Sequence, residues 1–405
     1  MTYLHTLECT KCKRQFSSEK PQTVCPTCNA PLYARYNLEK VSETLTKEDL
    51  VGRRADMWRY FELLPVRSKE NIVSLGEGFT PILKLRSIAG ELGMEELYLK
   101  DDGLNPTGTF KARGLAMAVS RAKELNLEKL AIPSAGNAAG ALATYGANAG
   151  VEVYIVMPVD APMTCKIESY MAGAHVFLVD GLISKCGEII AEGTDRFGWF
   201  SVSTTKEPYR IEGKKTMGLE IAEYFNWTLP DVILYPTGGG TGLLGMWKAF
   251  SELQELDWIK GSLPRMVSVQ SEGCAPIVKA YNEGRKESTF WEDAQTFADG
   301  IRVPKAFADS LILKTLYESD GGAVAVSDAK ILSSSKTLAK AGVFACPEGA
   351  ATLAGLTKLL DAGVIAKDAS VLLYNTGTGL KYTNGYAEQV ELDLPLIESA
   401  RDISL

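Results

Sequence analysis

The sequence predicts an α/β protein in which two helix-covered, doubly wound β-sheets follow a small cysteine-rich ribbon. From about residue 70, short β-rich runs alternate with helical segments, and these runs are apolar throughout instead of at every second position. Continuous apolar strands are typical of parallel sheets that helices cover on both faces. Two Cys-x-x-Cys pairs near the start indicate the ribbon. We therefore expect a ribbon over residues 1–35 and α/β domains over 36–215 and 216–405.

The four clustered cysteines of the ribbon, Cys9, Cys12, Cys25 and Cys28, have the spacing of a metal site. The pairs "CTKC" and "CPTC" are 12 residues apart, and two such turns facing each other place four thiolates at tetrahedral corners, which suits Zn²⁺. Four protein ligands leave no open position, so the zinc would be structural. Free thiols or a redox pair are the alternatives.

Residues 36–70 are charged and helical in character, as in a linker or packing arm. Beyond them, "LAIPSA", "VEVYIVMP", "AHVFLVDG", "DVILYPTGGG", "RMVSVQSEG" and "SVLLYNTGTG" are predicted strands, most of them followed by a helical segment. Right-handed crossovers follow from this order.

Composition excludes several classes of function. Lys and Arg number 43 and Asp and Glu 50, a net charge of −7, which argues against a nucleic-acid partner. The start has no signal-peptide core, and no apolar run reaches the ~18 residues of a membrane span. We expect a soluble, cytoplasmic chain with no membrane partner. The two histidines, His5 and His175, make a histidine-based hydrolase triad improbable.

Three glycine-bearing turns follow predicted strands: "PSAGNAAG" (133–140), "PTGGGTGLLG" (236–245) and "NTGTG" (375–379). Ligands of open α/β sheets bind beyond the carboxyl ends of the strands. In the middle turn, Gly238, Gly239, Gly240 and Gly242 leave backbone amides bare just before a helix, which predicts an anion site, most naturally for phosphate. A tight turn without a ligand is the alternative.

Nucleotide motifs fit this turn poorly. Gly240, Gly242 and Gly245 match G-x-G-x-x-G, but no acidic residue follows at ~20 positions on a strand end. A phosphate-binding P-loop is excluded because no Lys-Ser or Lys-Thr follows the glycines.

Lys111 lies in "NPTGTFKARG", just past a Pro-Gly turn and beside Phe110. A lysine becomes chemically useful when burial or nearby positive charge lowers its pKa from ~10.4. Taken alone, a solvent-exposed lysine at a helix start is the simpler interpretation. Together with the anion turn, the lysine predicts a carbonyl cofactor that carries a phosphate, namely pyridoxal 5'-phosphate.

These segments resemble a known group. "LGEGFTP" (75–81), "NPTGTFKARG", "PSAGNAAG", "PYRIEGKKT" (208–216), "PTGGGTG" and "NTGTGLK" (375–381) occur in the order found in threonine synthases, within the tryptophan-synthase-β-like, fold-type II pyridoxal-phosphate enzymes. The resemblance covers residues 70–381, and some threonine synthases also carry a zinc ribbon. It implies the two-domain fold of that group and conversion of O-phosphohomoserine and water to threonine and phosphate by elimination and replacement.

The resemblance also implies a role for each site residue. Lys111 would hold the cofactor as a Schiff base and then act as general acid and base, while Asn137 would bind the ring oxygen. Thr376 would face the pyridine nitrogen. The cofactor phosphate would rest on Gly238, Gly239, Gly240 and Thr241, and the substrate would contact Ser134, Thr204, Thr205 and Arg210.

The chain departs from the family pattern at several positions. Ala112 replaces an Asp, and Ala135 and Ala138 replace two Thr. Before Arg210, the chain has Thr204, Thr205 and Glu207 where the family tends to have Asn and Ser. Related β-carbon enzymes therefore stay open, either a cysteate synthase using O-phosphoserine and sulfite or a threonine or serine ammonia-lyase. From other classes, a nicotinamide dehydrogenase and a non-enzymatic protein with a partner-recruiting ribbon are alternatives. We expect a homodimer acting on a small, phosphorylated amino acid.

Overall fold

The computed structural model describes residues 1–394 and 396–397. The chain starts with an antiparallel ribbon in the order β2-β1-β3, and ten further strands follow. The strands are β1 (Leu4–Cys9), β2 (Gln15–Phe16), β3 (Leu32–Tyr36), β4 (Ile82–Lys84), β5 (Leu97–Asp101), β6 (Lys129–Pro133), β7 (Glu152–Pro158), β8 (His175–Val179), β9 (Phe200–Ser201), β10 (Val232–Pro236), β11 (Arg265–Ser271), β12 (Gly322–Val326) and β13 (Val371–Asn375).

The helices lie between these strands. They are α1 (Leu38–Thr44), α2 (Arg86–Leu92), α3 (Lys111–Glu124), α4 (Asn137–Ala149), α5 (Met163–Met171), α6 (Ile183–Phe197), α7 (Tyr209–Tyr224), α8 (Thr241–Glu255), α9 (Pro276–Asn282), α10 (Asp309–Glu318), α11 (Asp328–Lys340), α12 (Pro347–Asp361) and α13 (Thr383–Gln389). Within residues 1–394 and 396–397, no helix is both long and apolar enough to cross a membrane.

The strands beyond the ribbon form two sheets, and the predicted α/β class with a leading ribbon is confirmed. The larger sheet has the order β12-β11-β10-β13-β5-β4, and the smaller has the order β8-β7-β6-β9. The pairs are parallel except for β4 with β5. Every residue of β10 and β13 is buried, as their apolar sequences predict.

Strand β8 differs from the prediction of strands covered on both faces. His175, Phe177 and Leu178 are exposed, because β8 is the edge strand of the smaller sheet and pairs only with β7. The His175 ring stacks on Tyr154 with centroids 4.8 Å apart, which is a packing role.

Segments from both sides of residue 215 contribute to the larger sheet. Strands β4 and β5, from the 36–215 segment, belong to the larger sheet with β10 to β13. The physical reason is a non-local pairing, since Leu97–Asp101 align in parallel with Val371–Asn375. As a result, the turns that follow β5 and β13 leave the sheet side by side.

A fully buried ionic cluster fixes the segment between β5 and α3. Arg113 has no exposed surface, and its Nε and Nη2 donate to the two carboxylate oxygens of Asp102, each at 2.8 Å. Its Nη2 also donates to Glu220 of α7 at 2.8 Å, and Lys100 of β5 donates to the same carboxylate at 2.7 Å. Burial alone would raise the pKa of Asp102, but the charge of Arg113 outweighs it and lowers the pKa to about 2.

We expect Arg113→Met to lower the free energy of unfolding by about 3–5 kcal/mol, because Asp102 would remain buried without its charged partner and Glu220 would keep only Lys100. Denaturation in urea measures the change. Arg285→Met is the matched control, since Arg285 pairs with Glu283 at 2.7 Å where both side chains are exposed to solvent, and such a pair contributes about 0–1 kcal/mol. Losses of similar size in the two variants would contradict a dominant role for the cluster.

Candidate active site

A cavity of about 260 Å³ lies where turns from both sheets meet. The turns after β6, β10 and β13 all contribute to it, as expected for the carboxyl ends of parallel strands. Nine of the sequence-predicted residues line this cavity: Lys111, Asn137, Thr204, Arg210, Gly238, Gly239, Gly240, Thr241 and Thr376. Ser134 and Thr205 are not among the lining residues.

Lys111 is the first residue of α3, and its amine faces the cavity. The Nζ atom lies 4.4 Å from the centroid of the Phe110 ring, so the ring forms the apolar wall that the sequence suggested. Removal from water lowers the pKa of Lys111 to about 8, the positive charge of Arg210 adds to this, and Glu348 opposes it. The lowered pKa increases the share of neutral amine near neutral pH, and the neutral form is the one that acts as a nucleophile.

A second lysine, Lys214 of α7, lies on the same ring and was not predicted. Its Nζ is 4.1 Å from the Phe110 centroid and donates to the carbonyl oxygen of Phe110. Burial lowers the pKa of Lys214 well below its usual value, and the charges of Lys111 and Arg210 act in the same direction. Arg210 and Lys214 are four residues apart on one helix, so i, i+4 spacing in "RIEGKK" is the signal that could have found this neighbour.

The turn between β10 and α8 is built from glycines, so an anion could approach its backbone closely. Gly240 has φ +72°, and a Cβ there would lie 2.3 Å from Ile312 Cδ1, while a Cβ on Gly238 would lie 2.6 Å from the oxygen of Gly300. The backbone amides therefore stay bare at the start of α8, a 15-residue helix. Such a helix N-terminus favours a phosphate group.

Gly242 and Gly245, which follow this turn, have packing roles. Their match to the G-x-G-x-x-G pattern therefore does not require a bound dinucleotide. A Cβ on Gly242 would lie 2.1 Å from the Tyr235 hydroxyl, and a Cβ on Gly245 would lie 2.7 Å from the backbone of Lys214. Both glycines are required for α8 to pack closely on its neighbours.

Asn137 begins α4 and contacts Tyr382, which also lines the cavity. Its Nδ2 donates to the Tyr382 hydroxyl at 2.7 Å. Ser134 instead shapes the turn, because its Oγ accepts the backbone N–H of Gly136 at 3.3 Å. Tyr382 directly follows the "NTGTGLK" segment and was not predicted.

Thr376 is held against the lysine segment through its backbone. Its carbonyl oxygen accepts the backbone N–H of Phe110 at 2.9 Å, and Thr109 forms a bridge with Gly377. The Thr376 hydroxyl lies 3.4 Å from Cys346 Sγ. The hydroxyl and the Lys111 amine therefore share one rigid unit.

Arg210 supplies a buried cation with unused donor capacity. Its Nη1 donates to the oxygen of Val202 at 2.8 Å, whereas its Nε has no hydrogen-bond partner within the described part of the chain. Glu207 is not among the residues that line the cavity, so its carboxylate would not face a bound phosphate. Its Oε2 instead accepts the backbone N–H groups of Tyr209 and Arg210 at 3.0 and 2.8 Å. Burial raises the pKa of Glu207 to about 7.

The four ribbon cysteines converge as their spacing predicts. Their sulfur atoms all lie within 4.8 Å of one another, with Cys9 to Cys28 at 3.3 Å and Cys12 to Cys25 at 3.7 Å. A tetrahedral Zn²⁺ with bonds of ~2.3 Å separates its sulfur ligands by about 3.8 Å. The N–H groups of Lys11 and Cys12 donate to Cys9 Sγ, both at 3.4 Å, as a thiolate ligand would require.

Comparison with known proteins places the chain in a family. A family model described as pyridoxal-phosphate dependent enzyme matches residues 73–377. The threonine synthases of Methanocaldococcus jannaschii and Methanosarcina acetivorans are each 34% identical over 375 and 380 residues, which is 92% and 93% of this chain and 92% of each relative. The chain belongs to the threonine synthase family of pyridoxal-phosphate dependent enzymes. The predicted resemblance and the predicted enzyme class are thereby confirmed.

Solved structures agree on the fold of this family member. Threonine deaminase isoform 2 of Solanum lycopersicum has a TM-score of 0.67 at 20% identity and covers 83% of this chain and 94% of its own. The serine racemase of maize has a TM-score of 0.64 at 22% identity, with 76% of this chain and 92% of its own covered. At these identities the similarity concerns the fold alone.

The residues of the cavity fit pyridoxal phosphate. They offer an amine with a lowered pKa at Lys111, bare amides at Gly238–Thr241 and polar groups at Asn137 and Thr376. The cofactor requires an amine, an anion site and partners for its ring atoms. All three requirements are met within one cavity.

We expect Gly240→Ala to weaken the binding of pyridoxal phosphate by about tenfold or more, which is ~1.4 kcal/mol, because the added methyl would displace the turn or Ile312. Titration of the apoprotein with the cofactor measures the affinity. Gly261→Ala is the control, since Gly261 also has a positive φ, +85°, but a methyl group added there would have no atom within 4 Å. Equal affinity in the two variants would mean that the turn does not hold the phosphate.

Proposed function

We propose that this family member is a threonine synthase that converts O-phosphohomoserine and water to threonine and phosphate. The observation that carries the proposal is the placement of Lys111, the Gly238–Thr241 turn and Arg210 around one cavity, an arrangement that would provide two separate anion sites beside one amine. The first would hold a cofactor phosphate and the second a substrate phosphate.

Lys111 would carry the cofactor covalently, with its phosphate on Gly238, Gly239, Gly240 and Thr241. Bound pyridoxal phosphate supplies an electron sink that stabilises negative charge at the substrate carbons. The neutral hydroxyl of Thr376 cannot keep a pyridine nitrogen protonated as a carboxylate would, which suits elimination and replacement. Asn137 would donate to the ring oxygen. The Lys111 amine then moves protons at successive substrate carbons, a contribution of ~10²–10⁴-fold per step.

Arg210 and Thr204 would bind the phosphate that leaves the substrate. The planar guanidinium matches phosphate oxygens, and its free Nε gives a donor that nothing in the described residues uses. Ser134 and Thr205 are not part of this proposal, because neither lines the cavity.

We further propose that the four ribbon cysteines bind one structural Zn²⁺. The four protein thiolates complete a tetrahedral shell and leave no position for a substrate. A unit of this size buries little apolar area, so metal binding supplies much of its folding free energy.

A homodimeric assembly remains a prediction, which analytical ultracentrifugation can test.

The assay that tests the proposed function offers O-phosphohomoserine, O-phosphoserine and threonine separately to the purified protein. Threonine and phosphate in equal amounts from O-phosphohomoserine are the expected products. A product formed from O-phosphoserine and sulfite would instead indicate a cysteate synthase, and a keto acid from threonine would indicate an ammonia-lyase.

Lys111→Ala is expected to abolish turnover and the borohydride-bleachable absorbance of the bound cofactor while the protein stays folded, because the substitution removes the amine and leaves the helix start in place. Absorbance spectra, turnover and circular dichroism report these three properties. The control is Lys123→Ala, at the exposed opposite end of α3. A colourless, inactive Lys123→Ala variant, or a coloured and active Lys111→Ala variant, would contradict the assignment.

The wild-type protein and the Lys123→Ala control together test the lowered pKa of Lys111. Only the neutral amine attacks an aldehyde, so the rate of cofactor capture by wild-type apoprotein should rise about tenfold per pH unit below a pKa of about 8 and then level off. Lys123→Ala should follow the same curve.

Cys25→Ser is expected to abolish zinc binding and lower the melting temperature, while the residual folded protein retains most of its turnover per site. Metal analysis should find one zinc per wild-type chain. Cys186→Ser is the control, because Cys186 is buried but lies outside the cluster, and it should retain its zinc. A normal melting temperature after loss of zinc, or after deletion of residues 1–35, would contradict a structural ribbon.

A further inference from the structure

The cavity contains an acidic side chain that the roles above do not use. Among the described residues that line the cavity, Glu348 is the one with a carboxylate. It belongs to the first turn of α12 and is only 2% exposed. Its Oε1 accepts the backbone N–H of Gly300 at 2.6 Å, which fixes the orientation of the group.

The second carboxylate oxygen of Glu348 is free to act. Oε2 is buried and has no hydrogen-bond partner within residues 1–394 and 396–397. A buried, unpartnered carboxylate oxygen is costly, so its retention at the cavity wall points to a ligand atom that donates to it. The titratable groups whose pKa values respond to its charge are Lys111, Tyr382, Tyr386 and Cys346. Burial raises the pKa of Glu348 itself, and the neighbouring Cys346 and Tyr382 side chains oppose that rise.

The proposed reaction, on which this inference rests, has a step that requires a base besides Lys111. The Lys111 amine is occupied with protons on carbon. When water adds to the substrate β carbon, the oxygen forms a new C–O bond, and one water proton must leave. A carboxylate that lies in the same cavity and has a free oxygen can accept that proton.

We propose that Glu348 is a further catalytic residue whose free Oε2 positions the attacking water and accepts its proton as the water oxygen bonds to the β carbon. The proton then passes to solvent or to the released phosphate. Elimination of phosphate does not require Glu348, because it depends on Lys111 and Arg210. The two halves of the reaction are therefore separable by substitution at one position.

Glu348→Gln tests this assignment, because the amide oxygen can still accept the Gly300 N–H but cannot take up a proton. With O-phosphohomoserine, we expect phosphate release to continue while threonine per phosphate falls by about 10²-fold, the low end of what a general base contributes. Where water does not add at the β carbon, the unsaturated product left after phosphate loss hydrolyses to 2-oxobutanoate and ammonia, so these should replace threonine.

Glu348→Asp is the matched variant, since it keeps a carboxylate and should recover part of the threonine yield. Both variants should retain the absorbance of the bound cofactor and the wild-type melting temperature. If the wild type converts O-phosphohomoserine but Glu348→Gln keeps the wild-type ratio of threonine to phosphate, the role of Glu348 is overturned alone. If the wild type releases no phosphate from O-phosphohomoserine, the proposed function fails and the role of Glu348 fails with it.

Discussion

The interaction on which the site depends is the buried contact of Arg113 with Asp102 and Glu220. Arg113 lies two residues after Lys111 on α3, and Glu220 lies ten residues after Arg210 on α7. One guanidinium therefore couples the helix that begins with the candidate cofactor lysine to the helix that begins beside the candidate phosphate-binding arginine. Because Asp102 directly follows β5, the cluster also ties both helices to the larger sheet. Loss of any partner would leave an unpaired charge in the core, which makes the arrangement cooperative.

This rigid frame explains how cationic groups remain close together in the cavity wall. Lys111 and Lys214 lie on one phenylalanine ring, and Arg210 lies close enough to lower the pKa of both lysines. Mutual repulsion would separate these groups on flexible loops. Here each side chain belongs to a helix whose position the Arg113 cluster fixes. The charged groups therefore cannot move apart, and their repulsion lowers the pKa values of the two lysines. The result is a pair of lysine amines with lowered pKa values beside an arginine that can bind an anion.

Local sequence patterns predicted the parts of the fold and site that depend on neighbours along the chain. The three glycine-bearing turns, the Lys111 segment and the cysteine pairs are each contained within about ten to twenty residues, and their geometry follows from turn and strand preferences. The pairing of β5 with β13 aligns Leu97–Asp101 with Val371–Asn375, far apart along the chain, so no local pattern could assign β4 and β5 to the larger sheet. Glu348 was missed for the same reason, since only packing of α12 against the turns brings it to the cavity. Lys214, in contrast, could have been found from its i, i+4 spacing to Arg210.

The ribbon contacts the same two helices, at the last turn of α3 and at the first turn of α7. Arg121 of α3 and Tyr209 of α7 both donate to the carbonyl oxygen of Ser18, and the Tyr36 hydroxyl donates to Glu212 of α7 at 2.8 Å. Arg121 is ten residues beyond Lys111, which is about 15 Å along a helix. None of the four cysteines lines the cavity, so a structural zinc would not touch the reacting groups. It can act through the frame, because a folded ribbon supplies partners to buried polar groups on α3 and α7. Its loss would expose these groups while the Arg113 cluster still joins α3 to the last turns of α7.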